Sequence, residues 1–469
     1  MRLHLTLDGD GPRRDRLYRA LRRALLDGRL VADERLPPSR ALAAELGLGR
    51  QTVVEAYERL IAEGFLMART GSGTFVARLN LPASRESGPA AGAGPGAHWR
   101  APATWGEVGP GGYNFAGGVT DPALLPWPAW RRAVQRALRD QAADTTLYGD
   151  PVGQPALRAG IADYLGYSRG LPCRPESVLV TQGAQQGLDL LARVRVGPGD
   201  LVAVEEPGYP PARAVFEQRG ATVVGVPVDE QGVCVDRIPE RATLVYVTPS
   251  HQFPLGMPLG LSRRLALLER ANRHDWLIVE DDYDGEYRFE GRPLEALKSL
   301  DRDQRVAYLG TFSKVLHPAL RLGYVVMPEG LRQALTGARR LADGYGGDLN
   351  QRALAHLIGQ GDFARHLQRM QRIYQRRRDA LREALAAHPE RWRPLPALAG
   401  IHLAVRLRDP ALDWRRRLAS ADATVLALDD FYQGEAPPGL LLGFGALPDS
   451  AVGPGVDALA WALGTPPGG

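Results

Sequence analysis

Cysteine is nearly absent from this chain. Cys173 and Cys234 are the two in 469 residues, far apart and without metal-ligand spacing. That excludes a disulfide scaffold and a thiolate zinc site, and no metal is expected. No apolar run reaches membrane-spanning length, so no membrane partner is expected either. The amino-terminal MRLHLTLDGDGPRRDR lacks a signal-peptide core, which places the protein in the cytoplasm by expectation. Lysine is as scarce as cysteine: of 58 basic residues, two are lysines, Lys298 and Lys314. Arginine keeps its proton, whereas lysine can become a neutral amine and form a Schiff base. Lys298, in EALKSLD, reads as a chance survivor on the surface. Lys314 has more telling neighbours.

What is present is a globular mix, 44% hydrophobic and 24% charged, too long for one ordinary core. Net charge is +5, and residues 1–80 hold 14 Arg against 10 Asp or Glu, so +4 of it sits there. A small basic module suits a polyanion such as DNA, although random scatter of charge would account for the number equally well. Composition shifts at 79–112, LNLPASRESGPAAGAGPGAHWRAPATWGEVGPGG, a Gly/Pro/Ala-rich stretch that reads as a flexible linker. It divides the chain into domains 1–78 and 113–469.

In the first domain, helical spacing predicts helices over 13–27, 40–46 and 50–63, followed by strands at 66–69 and 74–78 around Thr70-Gly71-Ser72-Gly73. This is a winged helix-turn-helix order, with Arg50, Gln51 and Thr52 at the start of the third helix, where base edges are met. The stretch LPPSRALAAELGLGRQTVVEAYERLIAEGFLMARTGSGTFV resembles the DNA-binding domain of the GntR family almost end to end. The resemblance implies that Arg40 and Arg50 contact phosphate or guanine, that Gln51 and Thr52 enter the major groove, and that Gly71 brings the wing to the minor groove. Gly49 departs from the family, which usually has Ser or Thr there as helix cap; glycine costs a cap only a few tenths of a kcal/mol.

The second domain alternates apolar strands, expected at 178–180, 201–205, 222–226, 243–248, 276–281, 306–311 and 322–327, with helices such as 184–194 and 262–274. That pattern argues for a buried, mostly parallel, seven-stranded sheet of α/β type. From Asn350 on the chain reads as mostly helical, with the arginines of 368–378 on a solvated face. Ligands gather at the ends of such strands. Gly183 and Ala184 follow the first strand and could hold a phosphate at a helix start, though such a glycine is usually only a turn. Tyr209, in EEPGYP, could present a flat face to a ring, though core packing is the commoner use. Asp281 could hold the proton of a pyridine nitrogen; a divalent metal site and a solvated acidic loop are the rivals. Thr311, Ser313, Lys314 and Arg321 offer hydroxyls, an amine and a guanidinium. Together these groups fit pyridoxal 5′-phosphate.

Residues 113–469 resemble the fold type I aminotransferases over essentially their whole length, with a smaller carboxy-terminal α+β subdomain implied. The resemblance makes Lys314 the Schiff-base lysine, pairs Asp281 with the ring nitrogen and Tyr283 with the phenolic oxygen, and stacks Tyr209 on the ring. It sets Gly183, Ala184, Thr311, Ser313 and Arg321 around the phosphate. Tyr148 matches a tyrosine that reaches the neighbouring subunit's phosphate, which implies a homodimer. The joined architecture resembles the MocR/GabR family of bacterial transcription regulators, for which Thr248-Pro249-Ser250-His251-Gln252-Phe253-Pro254 is typical. His251 or Gln252 then stands in for an asparagine that aminotransferases place on the ring oxygen.

A second departure bears on function. Aminotransferases of this type carry an arginine near the carboxy terminus that clamps the substrate carboxylate. Leu441 stands there, and no Arg occurs from Tyr432 onward. The expectation is therefore a regulator, not an enzyme: a dimer that binds operator DNA and senses an amine or amino-acid-like effector through aldimine exchange at Lys314, with a residual half-reaction open. The effector lacks a carboxylate or finds another Arg, such as Arg213. The alternatives are a regulator that senses pyridoxal phosphate itself, and a working aminotransferase with an appended DNA-binding module.

Overall fold

The chain folds as two units, residues 1–98 and 99–469. The structure is a computed structural model that describes residues 5–8, 10–78, 99, 112–144, 148–291, 294–396, 398–409, 413–419 and 421–464. Nearly all of the expected linker, 79–112, lies outside the described residues.

The first unit contains α1 (Arg13–Leu26), α2 (Ser39–Leu46), α3 (Arg50–Ala62), β1 (Leu66–Arg69) and β2 (Gly73–Val76). Leu17, Leu21, Leu42, Val53 and Leu60 recur at helical spacing and are fully buried, which packs α1 and α2 against α3. β1 and β2 pair antiparallel from Leu66↔Val76 to Arg69↔Gly73, and the wing turn lies between them. The element order is that of a winged helix.

The second unit opens with β3 (Tyr113–Asn114), α4 (Trp127–Ala143) and α5 (Pro155–Arg169). A βα alternation follows: β4 (Val178–Thr181), α6 (Ala184–Arg195), β5 (Leu201–Glu206), α7 (Pro210–Gln218), β6 (Thr222–Asp229), β7 (Gly232–Val233), β8 (Leu244–Val247), α8 (Leu261–Arg273), β9 (Leu277–Asp282), β10 (Val306–Thr311) and β11 (Gly323–Val326). The sheet order is β4-β11-β10-β9-β8-β5-β6-β7. Strands β6, β5, β8, β9 and β10 run parallel, while β11 lies antiparallel between β10 and β4. The seven expected strands are all present, and the eighth, β7, is a two-residue hairpin partner of β6 too short to give an apolar run. β4, β8, β9, β10 and β11 are buried at every residue, the signature of a sheet covered on both faces.

Helices α9 (Arg332–Asp343), α10 (Asp348–Gly359) and α11 (Asp362–Ala386) lead into β12 (Trp392–Pro394), β13 (His402–Leu407), α12 (Trp414–Leu418), β14 (Ala423–Thr424), β15 (Leu426–Ala427), β16 (Gly439–Gly443) and α13 (Asp449–Gly464). Strands β12-β13-β16-β15 form a second, antiparallel sheet. Helix is the main element after Asn350, as expected, but the strands here are individually illegible in the sequence: three are two or three residues long, and β13 and β16 are buried almost throughout, so no alternation marks them. No helix among the described residues is long and apolar enough to cross a membrane.

Two readings of basic residues are overturned. Lys298 is buried, donates from Nζ to the Val306 carbonyl at 2.6 Å and pairs with Asp301 at 3.6 Å. On α11, Arg369, Arg372 and Arg376 are solvated, but Arg377 and Arg378 are buried. Arg377 meets Asp121 at 2.9 Å, Asp449 at 3.0 Å and the Gly445 carbonyl at 2.7 Å, pinning α11 to two distant loops. A buried arginine is kept where partners surround it. Arg377→Met should lower the stability of the full-length protein by about 3 kcal/mol, because Asp121 keeps its charge and loses its partner. Urea unfolding of the two chains side by side measures the loss; an unchanged midpoint would make the pairing ornamental.

Candidate cofactor site and nucleic-acid interface

Strand direction assembles the candidate site. In β4, β5, β8, β9 and β10 the carboxyl ends lie at one edge of the sheet, and antiparallel β11 begins there. The loops after β4, β5, β9 and β10 and the entry to β11 therefore bring together Gly183-Ala184, Tyr209, Asp281-Tyr283, Thr311-Ser313-Lys314 and Arg321. That edge is where α/β sheets bind ligands.

One corner is built for an anion. Gly183 caps α6 with φ 84°, a left-handed conformation that favours glycine, and a Cβ there would come within 3.0 Å of the Arg321 guanidinium. Ala184 opens α6, so the unpaired N–H groups of the first turn face this corner. The Thr181 hydroxyl donates to the Gly183 carbonyl at 2.9 Å and Arg321 donates to the Gln182 carbonyl at 2.8 Å, which fix the turn and the guanidinium. Across the neighbouring strand Gly323, which pairs with both Thr181 and Thr311, stand Thr311 and Ser313, joined by a Ser313 N–H to Thr311 Oγ1 bond of 3.2 Å.

The opposite corner holds a lysine and a carboxylate. Lys314 Nζ donates to the Gly118 carbonyl at 2.7 Å. Burial lowers its pKa, against the pull of Asp284 and Asp281. Asp281 accepts from the Tyr246 hydroxyl at 2.6 Å through Oδ2, while its buried Oδ1 has no partner. Burial pushes its pKa up to about 7, past the opposing hydrogen bond from Tyr246. Tyr209 caps α7 and meets Phe253 edge-on at 5.6 Å. The Tyr283 hydroxyl lies 3.0 Å from His251 Nδ1, and its ring meets Phe253 edge-on at 5.7 Å.

These groups fit pyridoxal 5′-phosphate. An orphaned buried carboxylate oxygen asks for a cationic N–H, a lysine eased toward its neutral form suits an aldehyde, and the Gly183 turn with Arg321 suits a phosphate. Within its own chain Tyr148 is 75% exposed and rests edge-on against Tyr345 at 5.7 Å, beside a cleft of about 350 Å³.

Three residues named from the sequence have partners of their own. Gln252 has no free amide for a ring: Nε2 donates to the carbonyls of Pro207 at 2.8 Å and Phe253 at 2.7 Å, and Oε1 accepts from Leu255 N–H at 3.1 Å. His251 is engaged with Tyr283 and with Asp284, 3.1 Å away. Arg213 pairs with Glu217 on its own helix at 3.7 Å. Leu441, in place of the clamp arginine, is fully buried and packs against Gly117, next to the carbonyl that holds Lys314. Tyr246, Gly118 and Asp284, the partner of His251, were missed as site residues. A tyrosine in the middle of a buried strand is the one local signal among them, since its hydroxyl needs a partner.

In the first unit, Arg40, Arg50 and Gln51 are exposed on the starts of α2 and α3, and Thr52 is half-buried beside Gly49. Gly49 caps α3 without a side-chain bond. Gly71 sits at the wing tip with φ 73°. Gln51 leans toward Glu55 at 3.5 Å. The four residues on α2 and α3 and the wing tip thus lie at helix starts and a turn, the places from which such domains meet DNA.

Asp281 also sets a pH dependence. Its pKa of about 7 exceeds the ordinary 3.8, so the folded cofactor-free chain holds a proton that the unfolded chain releases. Stability from this group is full below about pH 4 and is lost as pH rises through about 7. Glu205, Glu280 and Glu286, also pushed up to about 7 by burial, are common to both chains. The cofactor-free Asp281→Asn protein should therefore gain in melting temperature on the unsubstituted protein across that window and keep a constant lead above it. A pH-independent difference would mean that this carboxyl is not raised.

Comparison with known proteins covers both units. Residues 115–430 match the family described as aminotransferase class I and II, and residues 13–76 match the bacterial regulatory proteins of the gntR family. The chain is 38% identical to the probable rhizopine catabolism regulatory protein MocR of Rhizobium meliloti, over 97% of this chain and 95% of that one. It is 35% identical to the pyridoxine biosynthesis transcriptional regulator PdxR of Corynebacterium glutamicum, over 95% and 93%. Among solved structures it resembles LysN, an α-aminoadipate aminotransferase of Thermus thermophilus complexed with N-(5′-phosphopyridoxyl)-L-leucine, with TM-score 0.69 and 32% identity over 75% of this chain and 92% of that one. An aminotransferase fold behind a gntR winged helix, shared over nearly the whole chain with named regulators, makes this protein a member of the MocR-type DNA-binding transcription regulators.

Proposed function

We propose that the chain acts as a dimeric, cytoplasmic regulator in which residues 1–78 bind operator DNA, 79–112 form a flexible linker and 113–469 bind pyridoxal 5′-phosphate and answer to an amine. The observation that carries this reading is the meeting of Lys314, the half-paired Asp281 and the Gly183–Arg321 corner at one sheet edge of a chain that begins with a winged helix. Gly183, Ala184, Thr311, Ser313 and Arg321 hold the phosphate, Asp281 holds the ring-nitrogen proton, Tyr209 covers the ring and Tyr283 meets its oxygen. Tyr148, 75% exposed, serves the partner subunit's phosphate. Bound, the cofactor supplies an aldehyde that condenses reversibly with primary amines.

Lys314 is the residue that an effector amine displaces. Were an effector to displace it, Lys314 would stand as a free amine beside Asp281 and Asp284, and a proton carried in by the effector's ammonium group would change the charge at the sheet edge. A charge change at a buried edge can bias which domain arrangement is populated, and so the spacing of two winged helices. Operator binding must then alter effector affinity by the same factor.

Leu441 favours sensing over turnover. Without a bidentate arginine an α-carboxylate loses a charge-assisted pair worth about 1.5–3 kcal/mol. Effectors without that carboxylate are favoured, and turnover is limited to a residual half-reaction. The resemblance to PdxR, by name a regulator of pyridoxine biosynthesis, supports a second reading in which pyridoxal phosphate is itself the effector.

Visible absorbance of freshly purified protein separates these readings. A yellow band present without added cofactor, and fixed to Lys314 by borohydride, fits a resident cofactor and an amine effector. A colourless protein that turns yellow on adding pyridoxal phosphate in the physiological range points to the cofactor as signal. No band in either case defeats the Schiff-base reading, and sustained turnover of an amino donor and a keto acid would make the protein an enzyme. Lys314→Ala should lose the covalent band and its effector response while basal DNA binding persists. Arg50→Ala should weaken operator binding about tenfold or more and leave the band intact; loss of both properties would refute independent modules.

A further inference from the structure

Behind Tyr283 lies a buried pair that the proposed cofactor contacts do not use. His251, from the loop after β8, places Nδ1 3.1 Å from Asp284 Oδ1 and 3.0 Å from the Tyr283 hydroxyl. Asp284 Oδ2 accepts from the Ile401 N–H at 3.1 Å. His251 and Asp284 are 2% and 1% exposed, so no water arbitrates between their hydrogen-bonding states. His402, from β13, stacks on His251 at 4.8 Å and 30°. Gly400, with φ 82°, lies so close to His251 and Asp284 that a Cβ would overlap both. The turn into β13 thus closes on the pair with backbone at Gly400 and with the ring of His402.

One nitrogen faces two oxygens, and that decides the direction of each bond. A carboxylate only accepts, so His251 Nδ1 must carry the hydrogen that it shares with Asp284. Asp284 is held as a carboxylate: burial would raise its pKa, but His251, then His402 and the Ile401 N–H, bring it below the ordinary value. With Nδ1 protonated, Nε2 is a bare lone pair, consistent with its burial without a partner, since an orphaned acceptor costs less than an orphaned N–H. Burial and then the carboxylates of Asp284, Asp281, Glu205 and Asp282 push the Tyr283 pKa up, so that hydroxyl keeps its proton.

We infer that Asp284 locks His251 in its Nδ1–H form, so that the Tyr283 oxygen can only accept from His251 and its own hydrogen is left to be donated to the cofactor's ring oxygen. Asp284 and His251 are positioning residues that act through Tyr283, and this inference rests on the assignment of Tyr283 to the ring oxygen made above. His251, Asp284 and His402 also bring potential metal ligands within 4.8 Å of one another. The two imidazoles are stacked, however, so their in-plane lone pairs run side by side and do not converge on one ion.

Asp284→Asn reverses the device without changing its shape. Ile401 N–H still needs an acceptor, so the amide oxygen takes the Oδ2 position and the NH₂ turns to His251. Nδ1 must then accept, the hydrogen moves to Nε2, and the Tyr283 hydroxyl is free to turn inward toward Nδ1. The tautomer is read in cofactor-free protein carrying ¹⁵N-histidine, with His251 identified by the signal lost in His251→Gln. The expected result is Nδ1–H at neutral pH in the unsubstituted chain and Nε2–H in Asp284→Asn. The same tautomer in both chains, Nε2–H in the unsubstituted chain, or loss of both His251 and His402 signals on adding zinc would overturn the lock.

The second readout uses loaded protein. A donor on the ring oxygen draws off negative charge and lowers the pH at which the cofactor's visible band changes. Asp284→Asn should raise that pH by about one unit, as should Tyr283→Phe, and the double variant should shift no further. A shift for Tyr283→Phe alone would overturn the relay through Asp284. No shift in any variant, with the tautomers as expected, would instead remove Tyr283 from the ring oxygen, and so separates failure of the site assignment from failure of the lock.

Discussion

The structure depends on a carboxylate placed where folding alone would not put it. Asp281 ends a central strand, is buried, and has one oxygen bonded to Tyr246 and the other to nothing. Leaving a buried acceptor unpaired costs about 1–3 kcal/mol, more for a charge. The chain does not repair this by supplying an arginine, although it has arginines in abundance and uses Arg169 to pair Asp282 next door at 2.6 Å. Two adjacent aspartates on one strand point to opposite faces of the sheet. Each keeps one buried oxygen without a partner, but Asp282 has the Arg169 cation beside it whereas Asp281 has only the Tyr246 hydroxyl. A buried carboxylate without a cation, beside one that has it, suits a cationic ligand atom.

The rest of the edge follows from strand direction. Five parallel strands would bring five carboxyl ends together, but an anion corner also needs a side chain that approaches from the far side of the helix turn. Antiparallel β11 supplies it, because its entry rather than its exit lies at this edge and delivers Arg321 against Gly183. The closely packed glycine turn, the helix start and the guanidinium then act on one point, whereas each alone is a weak anion site.

Much of this was legible in the sequence because its signals are local. Val178–Thr181 and Val306–Thr311 are apolar runs closed by polar residues, and the winged helix declares itself through spaced leucines and a Gly-rich turn. Lys314 stands out against a background of arginine. The illegible parts are those that distance creates. Nothing in EALKSLD tells that Lys298 is buried, because its acceptor, Val306, arrives from the next strand. Arg377 and Arg378 sit in a row of arginines that looks uniformly solvated, and Asp121 and Glu290, brought from elsewhere, separate them from Arg376, which shares Asp449 with Arg377. The short strands of the second sheet are fixed by each other, not by their own residues. Gln252 shows the converse failure: a residue in a suggestive motif is consumed by holding its own loop.

Why an aminotransferase fold should be joined to a DNA-binding module follows from what it omits. An enzyme must bind its substrate's carboxylate firmly enough to hold the reacting bond in place through a full cycle, and then release product. A sensor needs only that its two states differ in free energy between ligand-bound and ligand-free forms. Where the resemblance to aminotransferases expects the clamp this chain has Leu441, packed on Gly117 among other apolar residues. It keeps the lysine, the carboxylate and the anion corner, which in the proposed reading are the parts that would turn the arrival of an amine into a change of charge at a buried edge. In that reading an absent clamp would cost turnover more than it costs sensing, because a switch requires only those remaining parts.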